Sequence, residues 1–339
     1  MADVKLNGRP VGPGHPTYII AEIGINHNGD LNLAHKLIEA AADAGADAVK
    51  FQTIDPDASY VPGTLSHEVF SGKMLNLEQY EALIQHSNER GIMFFTTPGD
   101  FPSLELVKQL SLPAIKISSG LMTNLPLVLA AARQKVPLII STGGAYLWEI
   151  GRVVYELERI GMRDLVLLHC VSIYPAPDET LSLRAIETLK SAFPYPIGYS
   201  DHSLGRIACI SAVSLGACVI ERHFTVDRTL PGGDHHLSSE PDEFATLVQE
   251  IRACEKMLMG QGKQPHEGEM AVRTRYRRRL VANANIAKGQ RLTAELIGLM
   301  RPLEPYGLAP EFYNAVLGKK ATRAIRQHEP IEWNSITES

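Results

Sequence analysis

Three ionisable residues, Glu221, Arg222 and His223, sit inside the otherwise apolar run VIERHFT at residues 219–225. Burying an unpaired charge is costly, so a short strand carrying such groups needs partner charges, a metal ion or a water-filled site at its end. Side chains alternate across a strand. Glu221 and His223 therefore share one face, and Arg222 and Phe224 share the other, where Arg222 requires an acidic partner. One βα unit earlier, GYSDH ends in Asp201 and His202. Imidazoles from two adjacent strand ends, His202 and His223, are suited to hold one divalent metal with positions left open for a substrate; a hydrogen-bonded histidine pair is the alternative. Asp201 and Glu221 lie near enough in the chain to orient those rings.

Lys50 in AVKFQT and Lys116 in PAIKISS project from runs that are otherwise apolar. With Thr97, Ser119 and Ser141 they make a site for a small phosphorylated anion, the ammonium groups neutralising charge and the hydroxyls fixing orientation. Pairing of a lysine with Glu22 is a structural alternative, and Schiff-base chemistry a catalytic one; the latter needs a single desolvated lysine and no histidine pair. Gln52, Ser172 and Tyr174 also fall at the ends of apolar runs.

These groups need a scaffold that brings many strand ends together. The chain alternates short β-rich runs with helical periodicity: YIIAEIG then LAHKLIEAAADAG, AVKFQT then LEQYEALIQHSNERG, and onward to VIERHFT then PDEFATLVQEIRACEKMLMG. About eight such units predict a parallel, closed (β/α)8 barrel, with functional groups gathered at the C-terminal ends of its strands. Gly45, Gly91, Gly161 and Gly216 each follow an amphipathic run and suit left-handed helix caps. No GxGxxG follows the first strand, which argues against a dinucleotide-binding fold. After Gly260 the rhythm stops. The expected division is a barrel over 1–262, a linker over 263–278 and a small, mostly β domain over 279–339. RTRYRRR in the linker reads as a solvated segment that pairs with acidic groups or a phosphate, or as a nucleic-acid patch lacking an aromatic platform.

Composition narrows the classes further. The chain has 339 residues, with 45% hydrophobic, 21% charged and a formal net charge of -5, so no basic field favours nucleic acid. Cys170, Cys209, Cys218 and Cys254 lack the spacing of a zinc ribbon or redox pair, which points to core packing in a reducing compartment. MADVKLNGRP lacks the apolar run of a signal peptide and no stretch is long enough to span a membrane, so a cytoplasmic, soluble protein is expected.

AEIGINHNGD, GADAVKFQT, FFTTP, IKISSG, HCVSIYP, GYSDH and IERHFT, in that order and followed by LMRP, resemble the sialic acid synthase family, whose members also make legionaminic and pseudaminic acids. The resemblance covers nearly the whole chain. It implies a TIM barrel followed by an antifreeze-like (SAF) domain, and a transferase that condenses phosphoenolpyruvate with an open-chain N-acetylated aldose such as N-acetylmannosamine. The products are a nine-carbon 2-keto acid and phosphate. By the same resemblance His202 and His223 hold a divalent metal, Mn2+ or alternatively Mg2+ or Co2+, and Glu22 and Glu221 act as acid, base or electrostatic stabiliser. Lys50 and Lys116, with Thr97, Ser119, Ser141 and Ser172, match the phosphoenolpyruvate positions, and Gln52 counts among the substrate-binding residues. Tyr174, Asp234 and Arg301 match those near the sugar. A homodimer is implied in which the SAF domain covers the partner's barrel mouth, so that Arg301 acts across subunits. Leu121 stands where bacterial N-acetylneuraminate synthases carry an acidic residue, which predicts a 6-deoxy or diacetamido acceptor. Two other readings remain: a synthase of shorter 2-keto sugar acids using Cys170 as a metal ligand, and a catalytically idle carbohydrate-binding relative.

Overall fold

The computed structural model describes residues 3–260 and 262–337. The chain divides into two compact units, Met1–Met259 and Gly260–Ser339. In the first, a hairpin of β1 (Val4–Leu6) and β2 (Arg9–Val11) precedes eight parallel strands: β3 (Tyr18–Gly24), β4 (Ala48–Thr53), β5 (Met93–Pro98), β6 (Ile115–Ile117), β7 (Leu138–Ser141), β8 (Leu165–Cys170), β9 (Ile197–Asp201) and β10 (Val219–His223). Each pairs with the next, and β10 pairs with β3 to close the barrel. The expected TIM-type fold is the one found. The helices are α1 (Leu31–Asp43), short α2 (Pro56–Ser59) and α3 (Leu65–Phe70), then α4 (Leu77–Glu89), α5 (Phe101–Gln109), α6 (Leu125–Ala132), α7 (Leu147–Arg159), α8 (Ala185–Ala192), α9 (Ile207–Ser214) and α10 (Pro241–Leu258).

Alternation along the strands builds two apolar layers. Ile19, Ala21 and Ile23 of β3 pack with the helices, as do Val49 and Phe51 of β4. Their neighbours Tyr18, Ile20 and Ala48 face inward with Phe95, Ile139 and Leu168, and the hairpin residues Val4, Leu6 and Val11 join this inner cluster. Each fully buried Val, Leu, Ile or Phe among them stabilises the fold by roughly 1.5–3 kcal/mol. Continued one step further along the same inward positions, β3 reaches Glu22, β4 reaches Lys50 and then Gln52, and β5 reaches Thr97. The inner layer therefore turns from apolar to polar toward the C-terminal ends, which makes a floor and a rim from one pattern.

Gly45, Gly91, Gly161 and Gly216 have φ values of +86°, +69°, +83° and +92°, the left-handed caps expected of them. Asp100 caps α5 by accepting from Ser103 N at 2.7 Å. It also accepts from Asp55 N and Ser59 Oγ, at 2.9 and 2.7 Å, so it pins α2 above the barrel.

The second unit contains α11 (Glu267–Tyr276), β11 (Arg279–Ala282), β12 (Ile297–Met300) and α12 (Tyr313–Val316). Strands β11 and β12 pair antiparallel, over a core that includes Leu280, Ile286, Leu292, Ile297, Val316 and Ile331. The segment read as a linker is largely helical. His266 and Glu269 form a capping box at the start of α11, acidic Glu267 and Glu269 occupy its first turn, and Arg273 and Arg275 its last. Those charges complement the helix dipole, so the helix forms without burying any residue. Among the described residues no helix is long and apolar enough to cross a membrane.

Candidate active site

The C-terminal rim of the barrel encloses a cleft of about 410 Å³. Glu22, Lys50, Gln52, Thr97, Lys116, Ser119, Ser141, Ser172, Tyr174, His202, Glu221 and His223 all line it. Two buried lysines and two buried carboxylates form its centre. Lys50 Nζ lies 2.8 Å from Glu22 Oε2 and 3.9 Å from Glu221 Oε2. Lys116 Nζ lies 3.5 Å from Glu221 Oε1 and donates to Ser141 Oγ at 2.6 Å. Thr97 Oγ1 accepts from Lys50 Nζ at 3.2 Å, Gln52 Nε2 donates to Glu22 Oε1 at 3.1 Å, and Ser200 Oγ donates to Glu221 Oε1 at 2.8 Å.

The two carboxyl groups are driven apart in acidity. Burial pushes Glu22 up to about 7, against the pull of Lys50 and with the repulsion of Glu221. Glu221 is equally buried, yet Lys116 and Lys50 together outweigh that burial and hold it below the ordinary value. Lys50, flanked by both carboxylates, is raised despite burial, whereas burial lowers Lys116. Such divergence is how one site keeps both a proton donor and a fixed negative charge near neutral pH.

His202 and His223 meet at one side of this cluster, with ring centroids 5.3 Å apart. His202 Nδ1 donates to the Val171 carbonyl at 2.8 Å, so Nε2 is the ring nitrogen that a cation can take when the imidazole is neutral. Against burial, Cys170, the Val171 carbonyl and Glu221 raise its pKa above the ordinary value. His223 Nδ1 is buried with no hydrogen-bond partner, and Asp234 Oδ2 stands 3.7 Å from it. Burial, reinforced by His202 and Lys50, holds His223 well below its ordinary value and therefore neutral. An orphaned buried imidazole nitrogen beside a second imidazole fits a cation better than it fits a hydrogen-bonded pair. Among the described residues no group of three or more His, Cys, Asp or Glu is arranged around a cation position. Tyr174 covers His202, with ring centroids 4.1 Å apart.

One sequence expectation needs correction. Asp201 touches neither imidazole, because strand alternation turns its carboxylate outward, where it pairs with Arg222 and accepts from Ser203 Oγ at 2.7 Å. This pairing supplies the acidic partner that Arg222 requires. Leu121 is partly buried against the hydrophobic layer and directly follows Ser119 and Gly120, which line the cleft. Arg301 belongs to the second unit, where its guanidinium lies 4.3 Å from the Tyr276 ring centroid. All four cysteines are free and buried.

The cleft also contains residues that were not singled out. Ile54, Tyr60 and Phe70 give it an apolar wall, with the Tyr60 and Phe70 ring centroids 5.3 Å apart. Gly143 also lines it. A Cβ there would lie 2.3 Å from Ser172 Oγ and 2.8 Å from Ser119 Oγ, so the hydroxyl cluster needs glycine at that position. The paired glycines of STGG were the available signal.

Comparison with known proteins gives the family. The NeuB family model matches residues 37–264, and the SAF domain model matches residues 277–337. The chain belongs to the NeuB family. It is 38% identical to the N,N'-diacetyllegionaminic acid synthase of Legionella pneumophila, over 98% of each chain. It is 35% identical to the N-acetylneuraminate-9-phosphate synthase of Homo sapiens, over 96% of this chain and 94% of the relative. The crystal structure of the N-acetylneuraminic acid synthetase of Leptospira borgpetersenii matches with a TM-score of 0.76 at 39% identity, covering 80% of this chain and 95% of that one. As a NeuB-family protein it shares a barrel and SAF domain with sialic acid-type synthases.

Proposed function

We propose that the chain is a transferase that condenses phosphoenolpyruvate with an open-chain N-acetylated aldose and water, giving a nine-carbon 2-keto sugar acid and phosphate. The observation that carries this is the single cleft holding two buried lysines, two carboxylates of opposed acidity and two converging imidazoles. Lys50 and Lys116 neutralise the donor's phosphate and carboxylate, and Thr97, Ser119, Ser141 and Ser172 orient it. His202 and His223 would hold Mn2+, or alternatively Mg2+ or Co2+, which when bound supplies Lewis-acid polarisation of the acceptor aldehyde. Gln52, Tyr174 and Asp234 stand where the acceptor is expected.

The donor's methylene carbon forms the new bond to the aldehyde carbon, leaving an oxocarbenium-like centre at the phosphate-bearing carbon. The ionised Glu221, and Glu22 when ionised, stabilise that positive charge. Water adds there, and the C–O bond to phosphate then breaks as the ketone forms. The two protons of that water end on the former aldehyde oxygen and on phosphate. Glu22, with a carboxyl poised near neutrality, can relay them.

Family membership supports a homodimer in which Arg301 of the SAF domain completes the partner's site. The name of the Legionella relative supports a diacetamido acceptor. Leu121, apolar where bacterial N-acetylneuraminate synthases carry an acidic residue, fits the same acceptor. A donor of central metabolism fits a cytoplasmic setting.

Phosphate release from phosphoenolpyruvate with a panel of N-acetylated aldoses, with and without chelator, tests the proposal, and mass spectrometry identifies the product. Sugar-dependent release abolished by chelator is expected. Release without any sugar would overturn it. A synthase of shorter acids would instead prefer phosphorylated aldoses and lose activity on Cys170→Ser, and sugar binding without turnover would mark an idle relative.

A further inference from the structure

Behind the cleft, in the layer between strands and helices, Arg222 and Asp201 form an ion pair with side chains 2% and 0% exposed. The two residues are register partners across β10 and β9. Each is followed immediately by one of the imidazoles: Asp201 by His202, and Arg222 by His223. Alternation turns the charged pair outward while both rings line the cleft. The tie therefore lies one peptide bond from each ring, on the opposite face.

The pair is fastened on every side. Arg222 Nε donates to Ser239 Oγ at 2.6 Å, and Ser239 N donates to the His223 carbonyl at 2.8 Å. Asp201 Oδ1 accepts from Ser203 N at 2.9 Å, Ser203 Oγ at 2.7 Å and Tyr199 OH at 3.1 Å. Cys209 Sγ donates to Oδ2 at 3.1 Å. Apolar residues of similar volume often replace a buried ion pair without loss of stability, so stability alone does not account for charges here. An apolar contact is non-directional. A guanidinium and a carboxylate with fixed donors and acceptors set the relative position of two strand ends.

We propose that the Arg222–Asp201 pair is a positioning device that sets the separation of His202 and His223 and thereby the affinity of the imidazole pair for a divalent cation. The inference rests on the metal reading above. Arg222 and Asp201 touch no substrate and act only through the strands they join.

Mn2+ titration followed by the electron paramagnetic resonance of the free ion tests it on the full chain, with melting temperature measured on the same samples. Asp201→Asn should bind Mn2+ about tenfold or more weakly, in line with supporting residues at other metal centres. Ser239→Ala, which keeps both charges, should fall between it and the wild type. An Asp201→Leu/Arg222→Met double variant should recover melting temperature and not metal affinity. Equal Mn2+ affinity in wild type and folded variants, or restored affinity in the double variant, would overturn the positioning role alone. A wild-type chain that does not bind Mn2+ would overturn the metal reading and this inference together. Should Asp201→Asn fail to fold, Ser239→Ala decides by the same titration: unchanged affinity overturns the role and weakened affinity supports it.

Discussion

Lys50 Nζ stands 2.8 Å from Glu22 Oε2, with side chains 3% and 2% exposed. Contact with a cation normally acidifies a carboxyl, yet burial prevails and places Glu22 at about 7. A carboxyl whose folded value exceeds its ordinary value of 4.5 keeps its proton while the unfolded chain has lost it. Its contribution to stability is therefore complete at low pH and declines as pH rises from the ordinary value through about 7. Activity that relies on the protonated form should fall through the same region. We expect the pH profile of kcat/KM to show an inflection near 7 that Glu22→Gln removes, as phosphate release across the neutral range will show.

Lys116 should matter more than its neighbour Ser141. It is flanked by Ser141 Oγ at 2.6 Å and Glu221 Oε1 at 3.5 Å, and Lys116→Met strips a buried carboxylate of one of its two cations. Breaking a buried pair costs about 3–5 kcal/mol, whereas deleting a neutral hydroxyl partner costs about 1 kcal/mol. Thermal unfolding should accordingly show the larger loss of stability for Lys116→Met, and phosphate-release assays the larger loss in kcat/KM for the same variant.

The fold was legible because the strand pattern repeats, and the inward positions that carry Glu22, Lys50 and Lys116 announce themselves as ionisable groups among apolar neighbours. His202 and His223 were visible for the same reason. Tyr60 was not, because it follows the four-residue helix α2, whose place depends on Asp100 rather than on any periodicity of its own. Asp201 was misread because nearness in sequence was given more weight than alternation, which turns it away from His202. Leu121 was placed by resemblance to a family position, and its packing against the apolar layer is a tertiary fact that no local pattern encodes.

Gly143 offers a test of the hydroxyl cluster independent of charge. Its added Cβ in Gly143→Ala would meet Ser172 Oγ at 2.3 Å, Ser119 Oγ at 2.8 Å and Cys170 Sγ at 3.2 Å. The nearest atoms are hydroxyls that can rotate away, so the melting temperature should change little while the donor's oriented contacts are lost. We expect KM for phosphoenolpyruvate to rise about tenfold, equivalent to about 1.4 kcal/mol. A collapse of stability with unchanged KM would show that the hydroxyls do not bind the donor.

Arg301 lies in the second unit, exposed and stacked over Tyr276, and its proposed role is to complete the site of another subunit. That role makes a prediction which depends on assembly. Arg301→Ala and His202→Ala chains should each be nearly inactive as homodimers. Co-expressed at equal levels, half of the dimers should pair one chain of each kind, and in these the barrel with intact His202 faces an intact Arg301. About a quarter of the wild-type sites should then function, the value expected for a two-fold symmetric dimer with exchanged domains. Phosphate release from the purified mixture measures this directly. Recovery to that level supports action across subunits, and the absence of recovery assigns Arg301 to its own chain's site or to neither.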